Sequence, residues 1–270
     1  MNQCFFCGPT TRPLTEEHVW PKWVSKLLRG KYGSDHFVHI RSTGNDTTGY
    51  WKSPHLQVTT ESLCDECNNV WLGNFENLVI KPIATPLILG GETLIRPADQ
   101  WQIAAWAYKM AMLLEIAMPA EERHQEFYKP TERRQFRNET IPDEHVRVFL
   151  ANCQYGQEPA HAHQHLHTLR RRDDGFSCQL KICTATAGCL GMQIIAARST
   201  ETGQLVYAST EVEMELLGKA KRAIVPIWPP TNEGVRWPPA EGMTQQDIED
   251  WTEMWSKAEG MYPQPPDSAA

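Results

Sequence analysis

The sequence predicts an α+β protein: a cysteine-stapled N-terminal unit, a central helical segment, and a C-terminal antiparallel sheet with a terminal helix. Three observations lead there. Two Cys-x2-Cys pairs, Cys4/Cys7 and Cys64/Cys67, lie in a stretch rich in Cys, His, Trp, Asn and Gly and poor in long apolar runs. From Trp101 to Met118 apolar residues recur at helical spacing until Pro119 ends the run. From Val146 onward, short alternating runs are separated by turn residues.

These textures divide the chain into residues 1–80, residues 81–260 and a Pro-rich tail, 261–270, expected to be disordered. After Pro82 and Pro86, Leu87-Ile88-Leu89 runs into the Gly90-Gly91 turn. Residues 121–140 are charged and read as helix or loop. Strands are expected at Val146–Ala151, His161–Leu169, Phe176–Thr186, Leu190–Ala197 and Leu205–Ser209, with turns at Asp173-Asp174-Gly175 and Glu201-Thr202-Gly203. Thr244-Gln245-Gln246-Asp247 reads as a helix start that carries Trp251 and Trp255 on one side.

With 270 residues, 41% hydrophobic and 22% charged, the composition is that of an ordinary globular chain. No stretch reaches the ~18 apolar residues of a bilayer span, and Met1 to Gly8 lacks a signal-peptide pattern, so a cytoplasmic protein without membrane contact is expected. The net charge of -7 argues against general nucleic-acid stickiness. It leaves room for a local basic face, because Arg12, Lys22, Lys26, Arg29, Lys31, Arg41 and Lys52 gather early while Glu241, Asp247, Glu249, Asp250 and Glu253 gather late.

Eight cysteines without an export signal read as metal ligands or buried thiols. Cys4, Cys7, Cys64 and Cys67 have the spacing of a structural zinc cage, since each knuckle delivers two sulfurs from one tight turn. Buried thiols are the plain alternative, and a cage alone also suits a non-catalytic zinc ribbon. Cys153, Cys178, Cys183 and Cys189 show no such pairing; the last three read as core thiols.

Beside the knuckles stand Leu14-Thr15-Glu16-Glu17-His18-Val19-Trp20-Pro21 and, directly after Cys67, Asn68-Asn69-Val70-Trp71, with Phe75-Glu76 following. Here the chain resembles the HNH endonuclease family, in particular its branch with two zinc knuckles, acidic-His-x-x-Pro, and Cys-x2-Cys-Asn. The resemblance covers about the first 80 residues by motif. It implies a ββα-metal, treble-clef-like unit bound to structural zinc through Cys4, Cys7, Cys64 and Cys67. It further implies His18 as general base, and Glu17 and Asn68 as ligands of a catalytic Mg²⁺ or Mn²⁺.

Those residue types suit phosphodiester hydrolysis. A hard cation takes carboxylate and amide oxygens, and a neutral imidazole with pKa near ~6.5 accepts a proton from water at physiological pH. The chain departs from the pattern in the long interval from His18 to Cys64, which implies an insertion within residues 28–57, and in Thr59, where many relatives have Asn. A packed His18 at a helix start and a helix-terminal Glu17 are the structural alternatives. Asn69, Asn74 and Asn77 read as caps and turn formers, with Asn69 and Asn77 also candidates to support a site.

Weaker signals follow. His161, His163, His165 and His167 share one face of a strand, as a metal or pH ladder or, favoured in the absence of nearby acidic or cysteine ligands, as a solvated face. Arg170-Arg171-Arg172, with Arg133, Arg134 and Arg137, invites phosphate but is blunted by Asp173 and Asp174. The tryptophans Trp101, Trp106, Trp228, Trp237, Trp251 and Trp255 suit packing better than base stacking.

The function expected is metal-dependent cleavage of nucleic acid, DNA first, in a setting that includes phage defence. A regulatory protein partner or a homo-oligomer fits the same reading. The alternative is a catalytically inert, zinc-stabilised DNA- or protein-binding module. In a third reading the C-terminal sheet senses a ligand or partner and controls the nuclease.

Overall fold

A computed structural model describes residues 2–33, 37–43, 46–53, 56, 58–117, 126–154, 160–170, 177–207 and 214–259. The 261–270 tail, the Asp173-Asp174-Gly175 turn and Pro119 lie outside them. The chain is mixed helix and sheet. It opens with a small hairpin, β1 (Asn2–Cys4) and β2 (Gly8–Thr10), whose turn is the first knuckle. Next come β3 (Leu14–His18), helix α1 (Lys22–Tyr32) and a second hairpin, β4 (Phe37–Thr43) with β5 (Asp46–Ser53). The long interval after His18 is thus built as a helix and a hairpin.

Strand β6 (Thr59–Cys64) returns antiparallel to β3, with His18 opposite Thr59 and Leu14 opposite Cys64. The chain then turns into a long helical run. Wide π-helical turns at Glu66–Leu72 and Phe75–Ile80 lead into α2 (Lys81–Leu89). Such wide turns rotate successive side chains differently from an α-helix and often mark functional segments. Here they bury Asn68 and Glu76 on the side facing the protein interior.

After β7 (Thr93–Ile95) comes α3 (Pro97–Ala117), the axle of the fold. It starts earlier than the apolar period implies, because Pro97 suits a first helical turn and Asp99 accepts the Arg96 amide. From Ile103 to Ile116 every residue is buried. A helix apolar on all sides must be covered on all sides, and α3 is packed by β6 on one flank and by the large sheet on another. The apolar core accordingly runs unbroken across residue 80, joining Phe6, Val19 and Trp20 to Trp106, Met110, Leu150 and Ile194.

Helix α4 (Pro130–Glu139) precedes β8 (Arg147–Asn152), β9 (Ala160–Arg170), β10 (Ser177–Ala187), β11 (Leu190–Ser199), β12 (Leu205–Val206) and β13 (Ile224–Trp228). Their order is β13-β8-β11-β10-β9, all antiparallel, with β12 on β11. The antiparallel sheet expected from the alternation is present, but both its faces are apolar. Leu150, Cys183 and Ile194 join the α3 core, while Phe149, Ile182 and Ile195 meet Ile248, Trp251 and Met254 of the terminal helix α5 (Gln245–Glu259). β14 (Val235–Trp237) pairs with β7. The expected start of α5 is a reciprocal cap: Thr244 N donates to Asp247 Oδ2 at 2.8 Å, and Asp247 N to Thr244 Oγ1 at 3.3 Å. Among the described residues no helix is long and apolar enough to cross a membrane.

The junction of α2 with the sheet is tight. Gly188, at φ 57°, turns β10 into β11, and a Cβ there would lie 2.4 Å from the Ile88 carbonyl oxygen. That oxygen already accepts the Cys189 amide at 2.9 Å. Gly188→Ala is therefore expected to destabilise the fold by on the order of 1–3 kcal/mol, measured by chemical denaturation. Unchanged stability would show that the turn relaxes freely.

Candidate functional site

Both knuckles meet in space. The four sulfur atoms of Cys4, Cys7, Cys64 and Cys67 all lie within 4.8 Å of one another, and among the described residues this is the one such group of Cys, His, Asp or Glu ligand atoms. Sulfurs around a tetrahedral metal at ~2.3 Å stand about 3.8 Å apart; Cys7 and Cys64 Sγ are 3.7 Å apart. The cluster can hold a metal ion such as zinc. Three of the thiols are buried and Cys7 is at the surface.

The electrostatics of the cluster suit a cation. A hydrogen bond from Cys67 above all, then bonds from the Cys64, Cys7 and Phe6 amides, pull Cys4 down to about 4 against the cost of burial. Burial, then the neighbouring sulfurs, push Cys7 up to about 11. Cys67 is raised, first through its bond to Cys4. Cys7 and Cys67 thus hold their protons more firmly than free thiols do, and a divalent ion bound there would substitute for those protons.

The cluster ties the β1-β2 hairpin to the corner between β6 and the helical run, and β3 meets that corner through its pairing with β6. Cys64 ends β6 and Cys67 opens the first π-helical turn, so Asn68 emerges beside β3. Its Nδ2 donates to Thr15 Oγ1 and to the Glu16 carbonyl oxygen, each at 2.9 Å. Both donors of the amide are thereby used, which turns Oδ1 away from the strand backbone as an acceptor. Asn68 is held within two residues of His18, on the strand that carries it.

Glu17 and His18 are successive strand positions, so their side chains leave on opposite sides. His18 is largely enclosed, its side chain 12% exposed and both ring nitrogens shielded from solvent, with Glu16 Oε1 3.4 Å from Nε2. Glu17 points inward, where Lys109 Nζ of α3 lies 2.9 Å from its Oε1. Lys109 is fully buried, and Glu76 Oε1 accepts it at 2.6 Å while also accepting Trp106 Nε1 at 3.2 Å. The same ammonium donates to the carbonyls of His18 at 3.4 Å and Val19 at 3.3 Å. Two buried carboxylates share one buried ammonium. Burial works against the charge of Lys109, yet Glu17 and Glu76 together keep its pKa above the ordinary value.

Other expected residues are placed as follows. Asn69 bonds Asp65 at 2.6 Å and Asn77 bonds the Gly73 carbonyl at 2.8 Å, both within the helical run. Arg133 is buried against Phe5 and paired with Glu126, and Arg137 lies over Trp71, so both line the first knuckle's side of α4. Strand β9 places His161, His163, His165 and His167 on one face by register, their side chains outside the described residues. Cys178 and Cys183 are buried, whereas Cys189 is part-exposed and 3.1 Å from Lys31 Nζ. Trp106, Trp237 and Trp251 are fully buried, and Trp101, though exposed, stacks on Trp228.

Sequence reasoning missed Lys109 and the role of Glu76. The signal was available: Lys109 is a lone charge inside Trp106-Ala107-Tyr108-Lys109-Met110-Ala111, and such a residue requires a buried partner. Compared with known proteins, the chain matches no family model, no curated protein and no solved structure.

Burial lifts Glu76 to about 7, from an ordinary 4.5, against the pull of Lys109 and with the push of Glu17. Between those values the folded state holds a proton that the unfolded state has lost. The stability contributed by this group is complete below 4.5 and disappears as pH rises through about 7. Compared with Glu76→Gln, the wild type is expected to lose on the order of 1–3 kcal/mol between pH 5 and pH 8, read from paired denaturation curves. Parallel pH profiles of the two proteins would contradict it.

Proposed function

We propose that the N-terminal unit is a metal-dependent endonuclease site of the HNH type, acting on nucleic-acid phosphodiesters, DNA first, with His18 as its general base. The observation that carries the reading is the junction of β3 with the helical run. There a cysteine cluster that could hold a metal marks the corner beside the strand that carries His18, and an oriented amide, Asn68, is hydrogen-bonded to that same strand. The antiparallel pair β3 and β6, followed by the helical run, supports a ββα reading in which α1 and the β4-β5 hairpin are an insertion between the two strands. In this reading Cys4, Cys7, Cys64 and Cys67 hold structural zinc.

The residue types are those a hard cation takes, although Glu17 is turned onto Lys109 on the strand face opposite His18. Asn68 offers an amide oxygen, Glu17 offers a carboxylate, and the Glu17–Lys109–Glu76 cluster carries one more negative than positive group when its carboxylates are ionised. Glu17 and Asn68 would hold Mg²⁺ or Mn²⁺, which supplies Lewis-acid neutralisation of the phosphate. The imidazole of His18 accepts a proton from the attacking water, and Glu16, 3.4 Å away, favours the imidazolium that results. Exposed Lys22 and Lys26 on α1 supply positive charge for a phosphate backbone without making the whole chain basic.

A second reading has one observation behind it. Glu17 is already paired with Lys109, which suits an inert zinc-stabilised binding module in which that carboxylate only braces the strand. Plasmid incubated with Mg²⁺, Mn²⁺ or EDTA separates the two. The nuclease reading expects nicking or cutting that EDTA abolishes, and a ~10²- to 10⁴-fold lower rate for His18→Ala with zinc content and melting temperature retained. Asn68→Ala should shift the Mg²⁺ titration to higher concentration. Cleavage by His18→Ala at the wild-type rate would remove the base assignment, and an inert wild type would favour the binding module.

A further inference from the structure

The buried ammonium of α3 has more contacts than an ion pair requires. Lys109 Nζ lies 2.9 Å from Glu17 Oε1 and 2.6 Å from Glu76 Oε1, and it also donates to the backbone oxygens of His18 and Val19. Those two carbonyls belong to the end of β3 and the residue after it, the point where the chain leaves the sheet for Trp20-Pro21 and α1. Beyond His18 the strand pairing is continued by the Val19 amide donating to the Val58 carbonyl at 2.8 Å. The backbone at Val19 is thus held on both of its peptide units: its N–H by the opposite strand, its carbonyl by Lys109.

A side chain's direction follows from its backbone. With the His18 and Val19 carbonyls turned toward Lys109, and Glu17 drawn onto the same nitrogen, the next side chain leaves on the opposite face of the strand. That side chain is His18, beside Glu16 and largely enclosed. Lys109 is itself immobile: it is fully buried in a helix packed on all sides, and Glu76, its other partner, is fixed by Trp106 Nε1. The reach from α3 to β3 is a rigid brace rather than a flexible surface pair.

We propose that Lys109 is a positioning residue, whose ammonium sets the backbone of β3 at His18 and thereby the direction of the His18 imidazole. Glu76 serves it by neutralising and orienting the ammonium. The inference rests on the nuclease reading for its catalytic consequence, but its geometric content concerns the imidazole alone. Lys109 touches no reacting atom; its effect passes through the two carbonyls.

The test compares the wild type with Lys109→Met and with Glu76→Gln/Lys109→Met, which removes one charge of each sign so that the carboxylate of Glu76 is not left without its cation. Zinc content and melting temperature report the fold, steady-state plasmid cleavage gives kcat and KM, and the His18 ring ¹³C–¹H resonance, assigned by its loss in His18→Ala, reports the imidazole. The proposal expects the double variant to stay folded with its zinc, to lose about 10²-fold in kcat with KM little changed, and to show a displaced or broadened ring resonance. A folded double variant with wild-type kcat and an unmoved resonance overturns it. Unfolding of both variants overturns it too, because Lys109 is then a pillar of the core and not a positioner. Failure of the nuclease reading shows itself separately, as an inert wild type or a fully active His18→Ala. The ring resonance in the double variant then still decides whether Lys109 aims the imidazole.

Discussion

The meeting of four cysteine sulfurs is the constraint on which the N-terminal unit depends. Cys4 and Cys7 belong to a three-residue-stranded hairpin, and Cys64 and Cys67 to the corner between β6 and the helical run. Neither element has the length to be stable alone. Joined through one metal-sized cluster, they fix where β6 ends and where the helix begins. Asn68, the residue after the last cysteine, inherits its position from that corner and is fastened to β3 by two hydrogen bonds. A metal bound there would add folding free energy to that of the apolar core that joins Phe6, Val19 and Trp20 to α3.

The second constraint comes from the opposite side. Where the cluster anchors the strand pair at Leu14 and Cys64, Lys109 braces its other end at His18 and Val19. Between the two anchors β3 carries Thr15, Glu16 and Glu17, each with a different duty: a bond to Asn68, a place beside the imidazole, and the internal ion pair. A buried ion cluster is poor currency for stability compared with apolar packing, and it is better understood as a device for specificity of geometry. The arrangement makes α3, whose other side chains from Ile103 to Ile116 are apolar apart from Tyr108 and Glu115, part of the candidate site.

Much of this was legible in the sequence where the signal is local. The Cys-x2-Cys spacing announced the cluster, apolar periodicity announced α3, and alternation between turn residues announced β8 to β12. The reciprocal cap at Thr244 and Asp247 could be read from two residue types. What escaped was non-local. The alternation suggested an antiparallel sheet but not what covers it: β8, Arg147-Val148-Phe149-Leu150-Ala151-Asn152, is buried throughout because α5 covers the face opposite α3. The pairing of β7 with β14 joins segments far apart in the chain with no turn between them to signal it. The Glu17–Lys109–Glu76 cluster draws its members from a strand, a helix and a π-helical turn, so no spacing rule reveals it.

The central claim is that the metal-sized cysteine cluster holds the His18 strand against the Asn68 corner. Amide hydrogen exchange before and after stripping the metal with a tight thiol-compatible chelator tests it most directly. Loss of metal should release protection in peptides covering Leu14–His18 and Thr59–Leu72, while peptides from α3, β10 and β11 keep theirs, since their packing is apolar and independent of the cluster. Unchanged protection at Leu14–His18 after the metal is gone would contradict the account, for the strand would then be held without the cluster that was taken to hold it.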